Sequence, residues 1–452
     1  MGKFVKRVLT CLALCGLLLL GACVPQADPV VAPPAATDTP APTREAAVVA
    51  QQVETATPLA ATIPPTPTPT PAVMTLGAVG DILITSSQVR DARIDKTDAY
   101  DFSPCFAAIS PLLQSVDLMC GNLETVLGGA DSGYSGTQYG DSNLPSFCAP
   151  DALAQNLADA GFDVLTTANN HCLDRGKDGL FRTIEVLQTT GLTQTGTFAN
   201  EEARSTPCIV EVNGIRIGIV AATRLINDRV SRITTNEARV SIAQLYDNGE
   251  SYALTEELKT DIANVKAAGA DFVVGFIHWD YETNDPVATA TKNYAIALLE
   301  AGVDCILGSH PHRVKSCEYV TVQRESGAYT GLVVYSMGNF IANEATEQAI
   351  GCFIQLTIEK PCGEPAVLVD AAYLPTVCYK QELDGMNRYE VAPVLSDLSL
   401  LHSRFLVLSD QCLKRFADGR AHVAKMLGGD GKLRLLSDSA IASVSPVPAS
   451  TD

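Results

Sequence analysis

The sequence predicts a layered α/β domain built around a mixed β-sheet. Short apolar runs of strand length alternate with longer patterns of helical period, the order typical of α/β domains. One pair of apolar runs flanks Asn213-Gly214, which accepts the positive φ angles of a type I′ turn, so an antiparallel hairpin is expected. With 452 residues, 46% of them hydrophobic, the chain can bury one large core or two modest ones.

Residues 1–23 have the pattern of an export signal. A basic start with Lys3 and Arg7 precedes an apolar run over 8–20, which is short for a membrane span. The run ends in Leu-Gly-Ala-Cys, which resembles a bacterial lipobox with Cys23 as the lipidated residue. A chance cysteine after an ordinary signal peptide, or an uncleaved anchor, are the alternatives. We predict a lipoprotein held by its lipid anchor at the extracellular face of the cell membrane.

Residues 24–73 are rich in Pro, Thr and Ala and predict a disordered linker. Repeated proline removes backbone donors and favours the extended polyproline II conformation. Such a segment buries no core and acts as a semi-rigid spacer, about 150 Å long at most. An O-glycosylated stalk is the alternative and is mechanically similar.

The charge and cysteine content restrict the partners and the type of site. The formal net charge is −19, so the surface repels phosphate backbones and no nucleic-acid partner is expected. Of 14 cysteines, 11 follow the lipobox, an odd number that leaves at least one unpaired or paired between chains. No C-x-x-C pair occurs, so a cysteine-based zinc site has little support.

Residues 74–379 are assigned to one globular domain, and residues 380–452 to a C-terminal extension. The predicted strands are 75–79, 116–119, 164–167, 272–277, 303–307 and 332–335, with the hairpin over 208–212 and 215–221. The predicted helices are 151–160, 179–189, 254–268 and 289–301. The extension is expected to contain a helix around 409–427 and to end loosely after Asp438.

Each of the six predicted strands leads into a polar motif. Ligands in open α/β sheets bind beyond the carboxyl ends of the strands, so we expect these motifs around one crevice. The motifs are Gly80-Asp81, Gly121-Asn122-Leu123-Glu124, Ala168-Asn169-Asn170-His171, His278-Trp279-Asp280-Tyr281-Glu282, Gly308-Ser309-His310-Pro311-His312 and Ser336-Met337-Gly338-Asn339-Phe340.

Histidine usage favours a metal site at these strand ends. Four of the 6 histidines lie in the motifs, whereas His402 and His422 lie in the C-terminal region. A lone histidine after a strand is more often structural, but four beside two carboxylates favour metal binding. The candidate ligands are Asp81, Glu124, Asn170 and three or four of His171, His278, His310 and His312.

This donor set suits one or two divalent ions of manganese, iron or zinc, and the sequence does not choose among them. With two ions, Glu124 or Asp81 would bridge them. His310 and His312 are two residues apart, so both reach one site only if the loop turns at Pro311.

These ordered motifs, from residue 74 to about 343, resemble the CapA family of capsule or poly-γ-glutamate biosynthesis proteins. That family is distantly similar to the calcineurin-like metallophosphatases. The resemblance implies a four-layer α/β sandwich with mixed β-sheets and metal-binding loops at the strand ends.

The resemblance also implies residue roles. Asp81, Glu124, Asn170, His278, His310 and His312 match metal positions, and His171, Glu124 and Asp81 match catalytic positions. Substrate contacts are expected from Glu282, Trp279, Asn339 and Ser336. The alternatives are a core or rim position for Trp279 and a turn at Gly338-Asn339, the latter being favoured over substrate contact. Asp174 either orients His171 or caps a helix.

Three positions depart from the family pattern. Leu83 replaces the histidine of an Asp-x-His motif, which puts a second metal in doubt. Asp280 replaces a frequent glycine, and Ser309 stands where histidine is common.

We therefore predict a CapA-like, metal-dependent hydrolase or phosphoesterase on the outer face of the membrane. Its expected substrate is an anionic polymer or a phosphoester. The alternative is a non-catalytic component of a polymer synthesis or export complex, with membrane-bound synthase or export proteins as partners. A solute-binding lipoprotein is disfavoured because it needs no ring of histidines and carboxylates.

Overall fold

The computed structural model describes residues 70–137, 145–227, 232–245, 252–282, 286–343, 347–383, 385–397, 401 and 409–438. The predicted signal peptide, Cys23, nearly all of the predicted linker, His402 and the predicted loose end lie outside the described residues. The described residues belong to one folded unit, Pro67–Asp452.

Strands and helices alternate through most of this unit. The β-strands are β1 Ala72–Ile82, β2 Leu118–Leu123, β3 Val164–Thr166, β4 Thr193–Thr195, β5 Ile209–Val212, β6 Ile215–Thr223, β7 Phe272–His278, β8 Cys305–Ser309, β9 Cys317–Arg324, β10 Gly327–Val334, β11 Asn339–Ile341, β12 Ile350–Lys360, β13 Val367–Leu383, β14 Met386–Pro393 and β15 Arg434–Leu435. The α-helices are α1 Ser86–Ala92, α2 Ser103–Phe106, α3 Ser110–Leu113, α4 Ala152–Ala160, α5 Gly176–Thr189, α6 Glu201–Ser205, α7 Thr235–Ser241, α8 Glu256–Ala267, α9 Thr289–Ala301 and α10 Asp410–Leu427.

The strands form two mixed sheets, where the residue pattern alone predicted one. The first sheet has the order β14-β13-β12-β1-β2-β3-β4, with β11 on β1 and β15 on β13. The second has the order β5-β6-β7-β8-β10-β9. In the first sheet, β1 to β4 are parallel and antiparallel strands extend the other side. In the second sheet, a parallel centre is flanked by antiparallel β5 and β9, because short turns such as β9–β10 can join only antiparallel neighbours.

The predicted elements are confirmed, and local sequence explains them. Asn213 and Gly214 have φ of 52° and 78°, as a type I′ turn requires, and they join β5 to β6. The four helices predicted for the domain are α4, α5, α8 and α9. Gly161 and Gly302 end α4 and α9 in the left-handed conformation, which glycine adopts at no steric cost.

The two sheets and their helices form four layers, which confirms the predicted sandwich. Leu76 of β1 and Val164 of β3 share an apolar cluster with strands of the second sheet, and α8 and α9 join that cluster through Leu258 and Leu298. Phe106 and other helical residues form a separate cluster on the opposite face of the first sheet. Each buried side chain of this kind contributes about 1.5–3 kcal/mol of transfer free energy.

The C-terminal segment completes the first sheet. The predicted boundary at Tyr379 falls within β13, and β14 pairs with that strand. The predicted C-terminal helix is confirmed as α10, whose buried Phe416 and Val423 face the sheet.

Two further properties concern cysteines and membrane spans. Of the eleven cysteines after the lipobox, nine are buried. Among the described helices, none has the length and apolar character to cross a bilayer.

Candidate metal centre

The strand ends of both sheets meet at one buried site. Asp81 lies near the end of β1 in the first sheet, and its Oδ2 accepts the backbone N–H of His310, beyond β8 in the second, at 3.2 Å. Strand β11 adds Asn339 beside Asp81. The convergence predicted for one sheet is therefore produced by two sheets.

A close backbone contact holds the end of β1 against the turn at Gly338. The N–H of Asp81 donates to the carbonyl of Gly338 at 3.1 Å. A Cβ on Gly80 would lie 1.8 Å from that carbonyl oxygen, so only glycine fits at position 80.

Asp81 is a fully buried and well-bonded carboxylate. Its Oδ1 accepts from Asn122 at 2.7 Å, and its Oδ2 lies 3.4 Å from Nδ1 of His312. Burial alone would raise the pKa of Asp81, but the bond from His312 and the nearby imidazoles His278 and His312 outweigh it, so the pKa lies well below its usual value. Asp81 is therefore an anion in the folded protein.

Glu124 is buried just as completely but lacks such bonds. Neither of its carboxylate oxygens has a hydrogen-bond partner within the described part of the chain. Three imidazole nitrogens lie nearby, of His278 at 3.4 Å, His312 at 3.8 Å and His171 at 3.9 Å. Burial, reinforced by the charge of Asp81, raises the pKa of Glu124 well above its usual value. A carboxylate left in this state is stabilised by a cation.

His278 is held at both ring nitrogens. Its Nδ1 lies 2.9 Å from the hydroxyl of Ser309, and its Nε2 lies 2.8 Å from the amide oxygen of Asn170 and 3.1 Å from Nδ1 of His310. Burial and the neighbouring His310 lower the pKa of His278 well below its usual value. A neutral imidazole is the form that binds metal.

The loop at Pro311 turns as the convergence of the two histidines requires. His310 and His312 have φ of 95° and 57°, a left-handed conformation that is unfavourable for residues other than glycine. Burial and His312 lower the pKa of His310 to about 3. Burial alone would lower the pKa of His312, but Glu124 and Asp81 outweigh it and raise the pKa to about 10.

His171 has a carboxylate partner that fixes its ring. Its Nδ1 lies 2.8 Å from Oδ2 of Asp174, while its Nε2 faces Glu124. The ring of Phe147 packs against the imidazole at 4.6 Å between centroids. Of the two roles considered for Asp174, orientation of His171 is therefore the one observed.

The predicted substrate residues divide into three buried groups and one exposed group. Trp279 has no exposed surface, and its indole N–H donates to the carbonyl of Tyr335 at 3.0 Å, so it packs in the core and presents no face to a substrate. Ser336 is buried and accepts the N–H of Gly338. Asn339 is also buried, with its amide oxygen 2.8 Å from Nδ1 of His312. Of the four predicted substrate residues, these three are therefore buried and form hydrogen bonds within the protein.

Glu282 is the exposed member of this group. Its charge contributes to the raised pKa of Glu124.

The three departures have structural explanations. Leu83 is buried and donates its backbone N–H to the carbonyl of Ile341. Its apolar side chain offers no ligand atom at the position where the family pattern has histidine. Ser309 fixes the Nδ1 of His278. Asp280 is buried, and its Oδ2 accepts a hydrogen bond from the buried ammonium of Lys315 at 2.9 Å.

The sequence interpretation did not assign roles to Asn122, Ser309, Lys315 or Arg224. Asn122 and Ser309 lie within the quoted motifs and bond directly to Asp81 and His278. Arg224 follows the apolar strand β6 as the six motifs follow theirs, and this position was the available signal. Lys315 had no such signal, because its partner Asp280 is 35 residues away.

The donor set fits a divalent cation. Ligand atoms of Asp81, Glu124 and His278 lie within 4.8 Å of one another, and so do those of Glu124, His310 and His312. Imidazole and carboxylate together suit manganese, iron or zinc. The unpartnered oxygens of Glu124 are the positions where a cation would relieve the cost of burial.

The profile of one protein family, "Bacterial capsule synthesis protein PGA_cap", matches residues 75–344, more than half of the chain. The chain belongs to this family. The match covers all six motifs and every predicted metal position.

Two PGA_cap relatives have names that describe biosynthesis. "Capsule biosynthesis protein CapA" of Bacillus anthracis is 29% identical over 274 residues, 60% of this chain and 60% of that protein. "PGA biosynthesis protein CapA" of Bacillus subtilis is 23% identical over 326 residues, 71% of each chain. This chain thus spans less than two thirds of the length of the B. anthracis relative.

A solved structure is also similar in part. The calcineurin-like phosphoesterase YfkN from Bacillus subtilis is 14% identical and aligns over 79% of this chain and 99% of that one, with a TM-score of 0.42. So low a score supports no inference about this chain.

Proposed function

We propose that this PGA_cap protein is a metal-dependent hydrolase of the phosphoesterase type that acts in the assembly of a capsule polymer. The observation that supports this most strongly is Glu124, a buried carboxylate with two unpartnered oxygens facing three imidazoles. Without a cation, this buried group is driven toward its neutral form, as its raised pKa indicates, whereas a bound cation would let it remain a carboxylate.

Six side chains would hold the cation or cations: Asp81, Glu124, Asn170, His278, His310 and His312. Glu124 belongs to both groups of clustered donors, so it is the natural bridge if two ions bind. A divalent ion supplies electrophilic activation of a phosphoryl or carbonyl oxygen and of water. The metal analysis described below would determine whether the ion is manganese, iron or zinc.

His171 is the proposed proton donor to the leaving oxygen. Asp174 holds its Nδ1, which leaves Nε2 directed to the centre, 3.9 Å from Oε1 of Glu124. A histidine fixed by a carboxylate in this way keeps one tautomer and one orientation.

We further propose that Cys23 carries lipid and that the protein works at the extracellular face of the membrane. The substrate would be an anionic polymer or a phosphoester, since relatives named for capsule and PGA biosynthesis share the family. Membrane-bound synthase or export proteins would be the partners, and nucleic acid would not.

The test is metal analysis and hydrolysis by the purified full-length protein. Wild type and Glu124→Gln would be loaded with Mn²⁺, Fe²⁺ or Zn²⁺, and assayed with p-nitrophenyl phosphodiesters and γ-glutamyl peptides. We expect bound metal and hydrolysis in the wild type and loss of both in E124Q. A wild type with neither metal nor hydrolysis contradicts the proposal.

The second candidate is a non-catalytic component of a synthesis or export complex. The names of the relatives favour it, because they describe biosynthesis and not hydrolysis. In a deletion strain, E124Q would restore the polymer fully if the role is non-catalytic, and would fail to restore it if the proposed hydrolase is required. Crosslinking in the native membrane would identify the partners in either case.

A further inference from the structure

Arg224 lies at the rim of the metal centre, at the end of a strand with no ligand of its own. It follows β6, the neighbour of β7, and its backbone N–H donates to the carbonyl of His278 at 2.8 Å. Three residues on, the amide oxygen of Asn227 accepts from Asn170 at 3.3 Å. The segment after β6 therefore contacts two of the predicted ligands.

The guanidinium of Arg224 is held in place by neutral groups only. Its Nη1 donates to the carbonyl of Asp280 at 3.1 Å, and its Nη2 donates to the hydroxyl of Tyr281 at 2.7 Å. The guanidinium carbon also lies 4.1 Å from the centroid of the Tyr281 ring. These three contacts orient the planar group and leave other N–H bonds available.

No carboxylate pairs with Arg224 among the described residues, although acidic side chains exceed basic ones by 51 to 32 in the chain. Arg324 offers the comparison, because it lies 3.5 Å from the ring centroid of Tyr329 and also pairs with Asp304 at 2.7 Å. Arg224 has the aromatic support without the acid. An oriented, half-buried arginine of this kind is suited to an anion from outside the chain.

Arg224 is fixed to the segment that follows the predicted ligand His278. Its backbone N–H donates to His278, and its guanidinium contacts Asp280 and Tyr281. A group bound by Arg224 would therefore lie beside this segment of the centre. Tyr281 is 45% exposed, so the approach to this position is open on the tyrosine side.

We propose that Arg224, supported by Tyr281, binds an oxyanion of the substrate, either phosphoryl or carboxylate, beside the segment that follows His278. The position of this group relative to the reaction rests on the proposed hydrolase function. The binding itself does not, because a guanidinium binds an oxyanion whether or not a bond is later broken. Arg224 thus sets the preference for anionic substrates.

The experiment measures anion binding separately from hydrolysis. Full-length wild type, Arg224→Met and Arg224→Lys would be titrated calorimetrically with inorganic phosphate and with glutarate, each with and without Mn²⁺. We expect R224M to weaken the preferred anion roughly tenfold to hundredfold, since bonds to charged groups contribute about 1.5–3 kcal/mol each. The anion affinity of R224K, which keeps the charge but loses the planar guanidinium, should lie between those of R224M and the wild type. The anion that responds more strongly identifies the phosphoryl or the carboxylate class.

Arg93→Met is the matched control, because Arg93 is exposed and pairs with Asp98 away from the centre. It should bind like the wild type. Equal affinity in R224M and wild type, or no binding of either probe by the wild type, overturns the inference. If R224M loses the anion in a protein that hydrolyses nothing, the inference stands and the hydrolase proposal fails. If R224M hydrolyses with an unchanged KM, the reverse holds.

Discussion

Two buried carboxylates in neighbouring parts of the molecule are treated in opposite ways. Asp280 is satisfied by the ammonium of Lys315 at 2.9 Å, the hydroxyl of Thr291 at 3.0 Å and a backbone N–H at 3.3 Å. Glu124, equally buried, has no hydrogen bond to either oxygen within the described residues. The fold gives Asp280 hydrogen-bond donors of its own, whereas the described part of the chain gives Glu124 none and places imidazole nitrogens 3.4–3.9 Å from it. We infer that the difference separates a structural pair from a ligand site.

The largest expected effect comes from breaking the structural pair. Lys315→Met should lower the free energy of unfolding by about 3–5 kcal/mol, because it leaves Asp280 buried without a counter-charge. Urea unfolding of the protein in the presence of a chelator measures this free energy. The double variant K315M/D280N should recover most of the loss, and Lys414→Met, in an exposed pair, should change stability by less than about 1 kcal/mol. A K315M protein as stable as K414M would show that the pair is not structural.

The next effect concerns the ligand site. A divalent ion at one hundred times its Kd should stabilise the wild type by about 2.7 kcal/mol over the chelated protein. In Glu124→Gln this increment should nearly vanish, because both groups of clustered donors include Glu124. Thermal unfolding with Mn²⁺ and with chelator measures it, with the exposed Glu256→Gln as control. An undiminished increment in E124Q would remove Glu124 from the metal centre.

A smaller effect is expected behind His171. Asp174→Asn should lower kcat by roughly tenfold to a hundredfold with metal content unchanged, because His171 loses the carboxylate that orients it. Steady-state kinetics and metal analysis of the same preparation separate the two quantities. Asp178→Asn, four residues on and exposed, should retain full kcat. A D174N protein that also loses metal would assign Asp174 to the stability of the centre.

The smallest effect is expected at Ser309. Ser309→Ala removes one bond to His278 and should weaken metal binding by about 1 kcal/mol, or roughly fivefold. Competition with a chromogenic chelator measures the affinity, and Ser205→Ala on the surface is the control. Unchanged affinity in S309A would mean that the other contacts of the ring, with Asn170, His310 and Asn122, are enough to orient His278.

Much of the fold could be predicted because its signals are local. The alternation of strands and helices, the Asn213-Gly214 turn and the C-terminal helix depend on residues near one another in the chain. The division into two sheets does not, since it depends on which buried strands pair. Strands β12 to β14 were not predicted, and their pairing over residues 350–393 is what extends the first sheet.

The centre could be located but not arranged from the sequence. Scarce histidines after buried strands identified the four imidazoles, and the structure brings them together. Trp279, Ser336 and Asn339 follow strands in the same way, yet they lie behind the site. Position after a strand does not determine the direction of a side chain, because a single positive φ, as at Asp280, changes it. Arg224 was missed for the complementary reason, since the residues Arg224-Leu225-Ile226-Asn227 that follow β6 include neither histidine nor acid.

The contact between Gly80 and the carbonyl of Gly338 affects how mutagenesis of the first motif should be interpreted. A methyl group at position 80 would meet a backbone oxygen, which cannot rotate aside as a side chain could. Gly80→Ala should therefore abolish metal retention as thoroughly as changing Asp81, although glycine has no donor atom to contribute. An alanine scan would therefore rank both positions alike for different reasons. At Asp81 it removes a metal ligand, and at Gly80 it introduces a steric clash with the backbone.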